Sequence, residues 1–334
     1  MADTVNISKP DNTAINLVAD IGGTNLRIGL TDNDGKISSL SVYQCNDYAG
    51  LAEIVADYIA VNVLNGSVIN ACFAIACPVE QDLIVMTNLP WQFSKLALQQ
   101  TLGLHTLLFI NDYTAIAHAV PYLNDDQKVK IGGGEVQLNK PISICGPGTG
   151  LGVANVIPSH NGWISLGGEG GHVDFAPTNN LETQILQFLL TRYEHVSYEQ
   201  LLSGLGIEQI YQALMHIRGE TAKSYSAKDI SENALTKSCE ICEQSLAQFC
   251  SILGSFAGNL SLTMASFGGV YIAGGIVPRF IEYFKNSNFR SRFEAKGRFV
   301  AFNRTIPTFV ITESQPGIIG ASAYLRQHYL QQNN

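Results

Sequence analysis

The sequence predicts an α/β protein built from two similar halves. Apolar runs of strand length alternate with segments whose apolar residues recur at helical spacing, a pattern typical of an α/β sheet. A strand, a glycine turn and a second strand occupy residues 15–30, and the same order returns after residue 142. Gly23-Thr24 and Gly148-Thr149 align at a spacing of 125 residues, which indicates a weak internal repeat. The length of 334 residues also favours two domains.

The first half is expected to alternate strands and helices in a regular order. The segment 49–63 shows the apolar spacing of a helix, and the run 68–76 is a buried strand that ends before Pro78. The other predicted elements are strands at 38–44, 83–86 and 106–110, and helices at 94–102 and from Tyr113 onward.

The second half is expected to begin after a polar break at residues 123–140, which contains three consecutive glycines. Strands are predicted at 142–145 and 153–157, on either side of the glycine turn 146–152. A long helical tract is expected at 233–265, and a strand at 269–276 contains Gly274-Gly275. A strand at 308–311 and a helix at 316–330 close the predicted pattern.

Composition excludes several classes of protein. With 28 acidic and 20 basic residues the formal net charge is −8, which disfavours binding to nucleic acid. Hydrophobic residues make up 46% and charged residues 14%, enough for a large core and too apolar for a disordered chain. No run approaches the ~18 apolar residues of a membrane span. Residues 1–13 are polar and lack the apolar core of a secretory signal, so we expect a cytoplasmic protein without a membrane anchor.

The seven cysteines do not form a metal-binding pattern. Cys239 and Cys242 make one CxxC pair, but a zinc site of this type needs a second pair or two nearby histidines. We interpret the pair as buried or half-buried thiols of a helix, in a protein from a reducing compartment.

The first glycine turn, Asp20-Ile21-Gly22-Gly23-Thr24-Asn25, is a candidate anion site. Two glycines let main-chain N–H groups approach an anion, and Thr24 and Asn25 add donors. Asp20, at the end of its strand, could hold a hydrated Mg²⁺ that bridges phosphates. The alternative is an ordinary hairpin turn, which is about as probable for this segment alone.

The second glycine turn, GPGTGLG at 146–152, is not the G-x-G-x-x-G of dinucleotide-binding folds. The chain also contains neither a P-loop nor the HRD and DFG motifs of protein kinases. Two glycine-threonine turns in two similar halves suggest that the phosphates of one nucleotide lie between two domains.

Three further segments carry candidate polar groups. Asn111-Asp112 lies where a buried strand ends and a helix begins, so Asp112 is either a helix N-cap or a functional carboxylate at the carboxyl edge of a sheet. Glu169 and His172 lie on a glycine-rich loop that offers few side chains for packing, which favours a functional interpretation. A metal-ligand role for His172 is rejected because no second ligand lies at suitable spacing. Glu199, taken alone, has the pattern of a carboxylate on a helix surface.

These segments together resemble the bacterial glucokinases of the hexokinase type, in the actin-like ATPase superfamily. The resemblance covers residues 17–330. Seven ordered blocks carry it: VADIGGTNLR (18–27), AIACPV (74–79), FINDYTAIA (109–117), GPGTGLGVA (146–154), SLGGEGGHVDFAP (165–177), HVSYEQLLSG (195–204) and FGGVYIAGGIVPRF (267–280). No cysteine-rich zinc motif follows His172, which argues for the branch of these kinases without zinc.

The resemblance implies an activity and a set of site residues. The activity is phosphorylation of glucose at its 6-hydroxyl by ATP with Mg²⁺, the first step of glycolysis, with Asp112 as the catalytic base. Glucose would contact Asn111, Asp112, Glu169, His172 and Glu199. ATP would contact Ala19, Asp20, Ile21, Gly22, Gly23, Thr24, Asn25, Gly148, Thr149, Gly150, Gly274 and Gly275, and Asp20 would hold Mg²⁺ through water. Position 19 departs from the family pattern, where glycine is usual, and Gly167-Gly168 replaces a pair that contains proline.

The resemblance also implies the architecture. Two actin-like domains, of the RNase H-like type, would flank an inter-domain cleft. The small domain would comprise residues 1–122 and 313–334, and the large domain residues 123–312. The family's members are commonly homodimers.

Three other functions remain open at this stage. The phosphate-binding elements would serve equally in a kinase for another hexose or an amino sugar. A sugar sensor without catalytic activity could share the fold, but it has no need of a base at Asp112. A nicotinamide-dependent enzyme is remote, because G-x-G-x-x-G is absent.

Overall fold

The structure, a computed structural model, describes residues 14–332, and for 330–332 only the backbone. The chain divides into two compact units. Unit 1 comprises the described residues up to Tyr122 together with those from Gln315 onward, and unit 2 is Leu123–Ser314. Within the described residues, no helix is both long and apolar enough to cross a membrane.

Unit 1 is built on a five-stranded sheet in the order β3-β2-β1-β4-β7, with a separate two-stranded sheet formed by β5 and β6. Strand β1 pairs antiparallel with β2 and parallel with β4, and β7 continues parallel to β4. The strands are β1 (Ile15–Ile21), β2 (Asn25–Thr31), β3 (Ile37–Gln44), β4 (Ile69–Ile75), β5 (Leu83–Val85), β6 (Gln92–Ser94) and β7 (Thr106–Asn111).

Helices cover both faces of this sheet, which is why β4 is buried along its whole length. The helices are α1 (Leu51–Val61), α2 (Lys95–Leu102), α3 (Asp112–Ala119) and α11 (Pro316–Gln332). Alternate residues of a strand face opposite sides. Leu17 of β1 accordingly belongs to the core cluster that contains Ile54 of α1, whereas Val18 belongs to the cluster that contains Ile318 and Leu325 of α11.

Unit 2 is built on a six-stranded sheet in the order β11-β10-β9-β12-β13-β8. The strands are β8 (Lys128–Gly132), β9 (Ile142–Pro147), β10 (Leu151–Ser159), β11 (Gly162–Gly168), β12 (Val270–Ile272) and β13 (Thr308–Ile311). The helices are α4 (Asn180–Leu190), α5 (Gly204–Ile217), α6 (Ala227–Leu235), α7 (Glu240–Met264), α8 (Ile281–Lys285), α9 (Phe289–Glu294) and α10 (Val300–Thr305). A large apolar cluster, with Phe249 and Phe256 of α7 among its members, forms the core.

The two sheets share one arrangement of five strands. Each contains an antiparallel hairpin, β1-β2 or β9-β10, followed by two strands parallel to the first strand of that hairpin. A third antiparallel strand, β3 or β11, lies beyond the hairpin. The repeat predicted from Gly23-Thr24 and Gly148-Thr149 therefore corresponds to a repeated sheet, and the predicted α/β class is confirmed.

Three predictions of secondary structure were wrong. The polar stretch 123–140 contains β8, which pairs antiparallel with β13 at the sheet edge, where alternating lysines are tolerated. Strand β11 was not predicted, and it ends with Gly167 and Gly168, directly before the loop that carries Glu169 and His172. The tract 233–265 is two helices, because α6 ends at Leu235 and Lys237 takes a left-handed conformation with φ of 55° before α7 begins.

Candidate active site

In unit 1, Asp20 lies near the end of β1, directly opposite Arg27 of β2. Burial raises the pKa of the Asp20 carboxyl above its ordinary value, and the charge of Arg27 opposes this shift only in part. A cation close to the carboxylate would therefore stabilise its ionised form.

The turn after Asp20 is tightly organised by its own main chain. The Gly22 N–H donates to the Asn25 carbonyl at 3.0 Å, and the Thr24 carbonyl accepts from the Cys45 N–H at 2.8 Å. Gly23 needs to be glycine, because a Cβ there would lie 2.9 Å from the Cβ of Asn88. The side chains of Ala19 and Ile21 are buried in the core, so these two residues can reach a ligand only through their main chain.

Asn111 and Asp112 divide two tasks at the start of α3. The Asn111 Oδ1 accepts hydrogen bonds from the N–H groups of Tyr113 at 3.0 Å and Thr114 at 3.3 Å, so Asn111 is the N-cap. Asp112 is the first residue of the helix, and its Oδ1 accepts from the Tyr113 N–H at 2.9 Å. The N-cap role considered for Asp112 in the sequence therefore falls to its neighbour.

The environment of Asp112 makes its carboxyl a stronger base than an ordinary aspartate. Burial raises its pKa, the Tyr113 N–H lowers it, and the nearby charge of Asp20 raises it again, with a net value of about 6. The two acids are close because Asp20 is in register with Ala74 of β4, which in turn pairs with Ile110 of β7. A carboxylate with a pKa close to neutrality can accept a proton in catalysis.

One neighbour of Asp20 was missed in the sequence. Gly317, in the first turn of α11, lies so close that a Cβ there would be 2.7 Å from the Asp20 Cγ. A glycine after Pro316 at a helix start is a weak signal, because Pro at the first helical turn is common. The contact between Gly317 and Asp20 arises from the tertiary fold, and the local sequence around Gly317 does not predict it.

In unit 2, the turn Gly148-Thr149-Gly150 follows β9 and is closed by a hydrogen bond from the Gly148 N–H to the Gly150 carbonyl at 2.8 Å. The Glu199 Oε2 accepts from the Leu151 N–H at 2.8 Å. A Cβ at Gly150 would lie 2.5 Å from this oxygen. Glycine at position 150 thus allows the Glu199 carboxylate to lie directly against the turn, and any larger residue would displace it.

Glu199 lies in a turn before α5 and not on a helix surface, contrary to the pattern of its sequence. Its main-chain N–H donates to the Gly171 carbonyl at 2.9 Å. Its Oε1 lies 3.7 Å from the Nε2 of His172, whose side chain is 57% exposed. The structure therefore brings together two of the predicted sugar contacts that are 27 residues apart in sequence.

Glu169 lies on the loop that also carries His172, and the Glu169 carbonyl accepts a hydrogen bond from the His172 N–H at 3.0 Å. The Glu169 residue is exposed. Gly171 is required here, because a Cβ would collide with the Leu151 carbonyl.

Gly274 and Gly275 follow β12, which runs parallel to β9. Gly274 has φ of 84°, and a Cβ there would collide with the Pro147 carbonyl at the end of β9. A Cβ at Gly275 would meet no atom within 4 Å. The glycine turn 146–152 and the pair Gly274-Gly275 therefore meet at one edge of the sheet in unit 2. This edge offers main-chain groups, a carboxylate and an imidazole to a ligand.

Comparisons with known proteins agree with this geometry. The family model for Glucokinase matches residues 17–328. A glucokinase of Colwellia psychrerythraea is 58% identical over 322 residues, which cover 95% of this chain and 98% of that protein.

Solved structures give the same result. The crystal structure of a glucokinase from an Antarctic psychrotroph has a TM-score of 0.87 at 36% identity and covers 93% of this chain and 98% of that one. A glucokinase of the ROK family from Streptomyces griseus, solved with glucose and AMPPNP, shares the fold with a TM-score of 0.58 at 19% identity, with 94% and 99% of the chains covered. The resemblance inferred from the sequence is confirmed. The chain belongs to the glucokinase family, the enzymes that phosphorylate glucose with ATP.

Proposed function

We propose that this enzyme carries out the ATP-dependent phosphorylation of glucose at the 6-hydroxyl, with Asp112 as the general base. The overall reaction follows from membership of the glucokinase family. The observation that supports the role of Asp112 is its partly buried carboxylate, which has a pKa raised to about 6 and is left free of the N-cap role by Asn111.

The chemistry requires little of the base. Phosphoryl transfer passes through a loose transition state, so the proton of the attacking hydroxyl leaves late. The Asp112 carboxylate accepts that proton as the sugar oxygen bonds to the γ-phosphorus and ADP departs. A base with a pKa near 6 is mostly ionised at neutral pH and still binds the proton better than an ordinary aspartate.

Asn111, Glu169, His172 and Glu199 are the proposed sugar contacts besides Asp112. The Oδ1 of Asn111 is engaged by helix α3, so its amide NH₂ is the group that would donate to a sugar hydroxyl. The Oε2 of Glu199 is engaged by Leu151, which leaves Oε1, beside His172, to accept from a hydroxyl. Sites of this kind discriminate against epimers, because a missing hydroxyl leaves a buried polar group unpaired.

The two glycine turns are the proposed sites for ATP. Because the Gly22 N–H is bonded to Asn25, the N–H groups of Gly23 and Thr24 are the proposed phosphate donors in unit 1. In unit 2 the proposed contacts are Gly148, Thr149, Gly150, Gly274 and Gly275, with Ala19, Asp20, Ile21, Gly22 and Asn25 completing the set in unit 1. Closely packed glycines allow the main chain itself to approach a phosphate.

Magnesium is proposed as the accompanying ion, with Asp20 as its ligand through water. The residues fit such an ion, because the carboxylates of Asp20 and Asp112 both have raised pKa values and repel each other. No group of three or more metal-binding side chains occurs among residues 14–332. Mg²⁺ usually keeps several waters and binds one or two carboxylates together with substrate phosphates, where it neutralises charge.

Three broader features remain proposals. Units 1 and 2 would be the two domains inferred from the resemblance. A reducing compartment such as the cytoplasm is proposed from the sequence, in which seven cysteines, an odd number, are scattered along the chain. A homodimer is proposed on the resemblance alone, and sedimentation equilibrium that gave the mass of a single chain would contradict it.

Replacement of Asp112 tests the central assignment. We expect Asp112→Asn to abolish turnover in an assay coupled to ADP formation, while glucose still raises the melting temperature of the variant. The variant itself should melt no lower than the wild type at pH 7.5, because an ionised carboxylate with a raised pKa opposes folding above that pKa.

The matched control is Asp34→Asn, which removes the same charge from an exposed turn of unit 1 and should leave kcat and KM unchanged. Turnover of Asp112→Asn near the wild-type rate would refute the base assignment. The same assay with mannose, fructose and N-acetylmannosamine tests the substrate. A kcat/KM for any of them above the value for glucose would contradict the assignment of glucose as the substrate.

A further inference from the structure

Cys239 and Cys242 lie at the start of α7, in unit 2. Cys239 is the N-cap of this helix, and Cys242 is its third residue. Side chains at these two positions face each other, as the reciprocal hydrogen bonds of a capping box illustrate. The sequence alone had suggested helical spacing inside one long helix, but the helix begins between the two residues.

The two thiols are in contact. A hydrogen bond joins their side chains, and it affects their pKa values in opposite directions. Cys239 has an extended conformation outside the helix (φ −146°, ψ 113°), so its side chain reaches that of Cys242 at the third helical position. A disulfide requires Cβ atoms about 4 Å apart, and a local adjustment of two side chains already in contact suffices for it.

Charge around the pair favours a thiolate at Cys239. Burial raises the pKa of the Cys239 thiol, but hydrogen bonds from Cys242 and from the Ile241 N–H, together with the Lys223 ammonium, lower it below its ordinary value. Arg218 also interacts electrostatically with Cys239, although its guanidinium is paired with Glu240 at 2.9 Å.

Cys242 has the opposite character. It is fully buried, and burial, the hydrogen bond to Cys239 and the Cys239 charge raise its pKa to about 12. Tyr211 interacts electrostatically with both thiols, and its ring lies against the ring of Tyr225. A partly exposed thiol with a lowered pKa, Cys239, thus lies beside a buried thiol with a raised pKa, Cys242.

This asymmetry is specific to the pair. The other five cysteines are buried, and burial raises the pKa values of those thiols. Structural cysteines of that kind are inert, whereas a thiolate at a helix N-terminus beside cations is reactive.

We propose that Cys239 and Cys242 form a reversible dithiol–disulfide pair that reacts with low-molecular-weight disulfides. The Cys239 thiolate attacks one sulfur of the small disulfide, forming a mixed disulfide and releasing one thiolate. Cys242 then loses its proton, attacks the Cys239 sulfur and releases the second thiolate. Two protein thiols are oxidised to one disulfide, and one small disulfide is reduced to two thiols.

Two measurements on the full-length enzyme test this step. Brief alkylation of the reduced protein with iodoacetamide at pH 7, followed by peptide mapping, should modify Cys239 at least about tenfold faster than the other six thiols. Incubation with oxidised glutathione should then give a disulfide between Cys239 and Cys242, detected as loss of two hydrogen atoms from their peptide and reversed by dithiothreitol.

Variants separate the two steps. Cys242→Ser should accumulate a mixed disulfide with glutathione at Cys239, and Cys239→Ser should form no adduct. Cys250→Ser, which alters a buried thiol of the same helix, is the matched control and should behave as the wild type.

Two results would overturn the proposal. One is a mixed disulfide at Cys239 that persists in the wild type, because Cys242 would then not act on it. The other is the absence of any reaction of the folded wild type, a result that does not depend on the stability of a variant.

Discussion

At the scale of single residues, the division of work between Asn111 and Asp112 explains how an acid at a helix start stays available for chemistry. An aspartate at this position could satisfy the helix N–H groups, and its pKa would then fall. Because Asn111 accepts those hydrogen bonds, burial dominates at Asp112 and its pKa rises.

The pH dependence of the reaction follows from that pKa. A protonated Asp112 cannot accept the proton of the sugar hydroxyl, so we expect kcat/KM for glucose to fall about tenfold per pH unit below pH 6 and to reach a plateau above about pH 7. Initial rates with saturating ATP between pH 4.5 and 8.5 measure this. An acid limb near pH 4, the ordinary range of an aspartate, would contradict the proposed environment.

The close contact between Gly150 and the Glu199 carboxylate gives a second prediction at the residue scale. Gly150→Ala would place a Cβ against the Glu199 Oε2, so the carboxylate must move away from the Leu151 N–H. We expect a rise of about tenfold in KM for glucose, the direction also expected for Glu199→Gln, with a smaller change in kcat.

Gly168→Ala is the control, since its Cβ would meet no atom within 4 Å and KM should stay unchanged. An unaltered KM in Gly150→Ala would show that the position of Glu199 does not matter for sugar binding.

The site residues differ in how far the sequence could predict them. Asp20 and Asp112 stand at strand ends, where periodicity alone draws attention to a carboxylate. Glu199 resembles any surface acid, because its importance comes from Leu151 and His172, which are 48 and 27 residues away in sequence. Glu199 was identified only through the resemblance to the glucokinases, and Gly317 only through its contact with Asp20 in the structure.

At the scale of elements, the crossing of α3 and α11 fixes the helix that begins at Asp112. Gly320 of α11 lies against the Ala115 carbonyl of α3, and a Cβ there would collide with it. Main chain cannot move aside as a flexible side chain can. The crossing therefore depends on this glycine.

We expect Gly320→Ala to destabilise the enzyme by about 2–3 kcal/mol, the upper part of the usual range for overpacking. The sign is informative, because Gly→Ala inside an open helix stabilises by about 1 kcal/mol. Urea unfolding followed by circular dichroism measures the effect.

Gly50→Ala, whose Cβ meets no atom within 4 Å, should cost no more than about 1 kcal/mol. If Gly320→Ala were as stable as the wild type, α3 and α11 would be able to move apart without loss of free energy of unfolding.

Elements with a local signature were predictable, and those defined by partners were not. The β1-β2 and β9-β10 hairpins are apolar runs around glycine turns, and both were found. Strand β8 alternates lysine with Val129 and Ile131, and it becomes a strand because β13 pairs with it. The boundary between α6 and α7 depends on the conformation of Lys237, which apolar periodicity does not report.

At the scale of the whole molecule, unit 1 is discontinuous and unit 2 is not. Residues of β1 and β4, such as Val18 and Cys72, belong to the same core cluster as Ile318, Ala321 and Leu325 of α11. Without α11 that face of the sheet would be exposed to water.

We therefore expect the fragment 123–314 to unfold cooperatively on its own and the fragment 1–122 not to do so. Addition of a peptide of residues 315–334 should restore a cooperative transition to fragment 1–122. Thermal unfolding followed by near-ultraviolet circular dichroism distinguishes these cases. A cooperative transition of fragment 1–122 alone would show that α11 is dispensable for that core.

The late position of α11 also bears on synthesis of the enzyme. During translation, the chain up to Ser314 can complete unit 2 while Asp20 and Asp112 are already made but lack the helix that packs behind them. Gly317 and Gly320 leave the ribosome after every residue of unit 2. A chain released from a stalled ribosome before residue 315 therefore lacks the helix that packs against the elements carrying Asp20 and Asp112. Such incomplete chains should neither hydrolyse ATP nor compete for glucose.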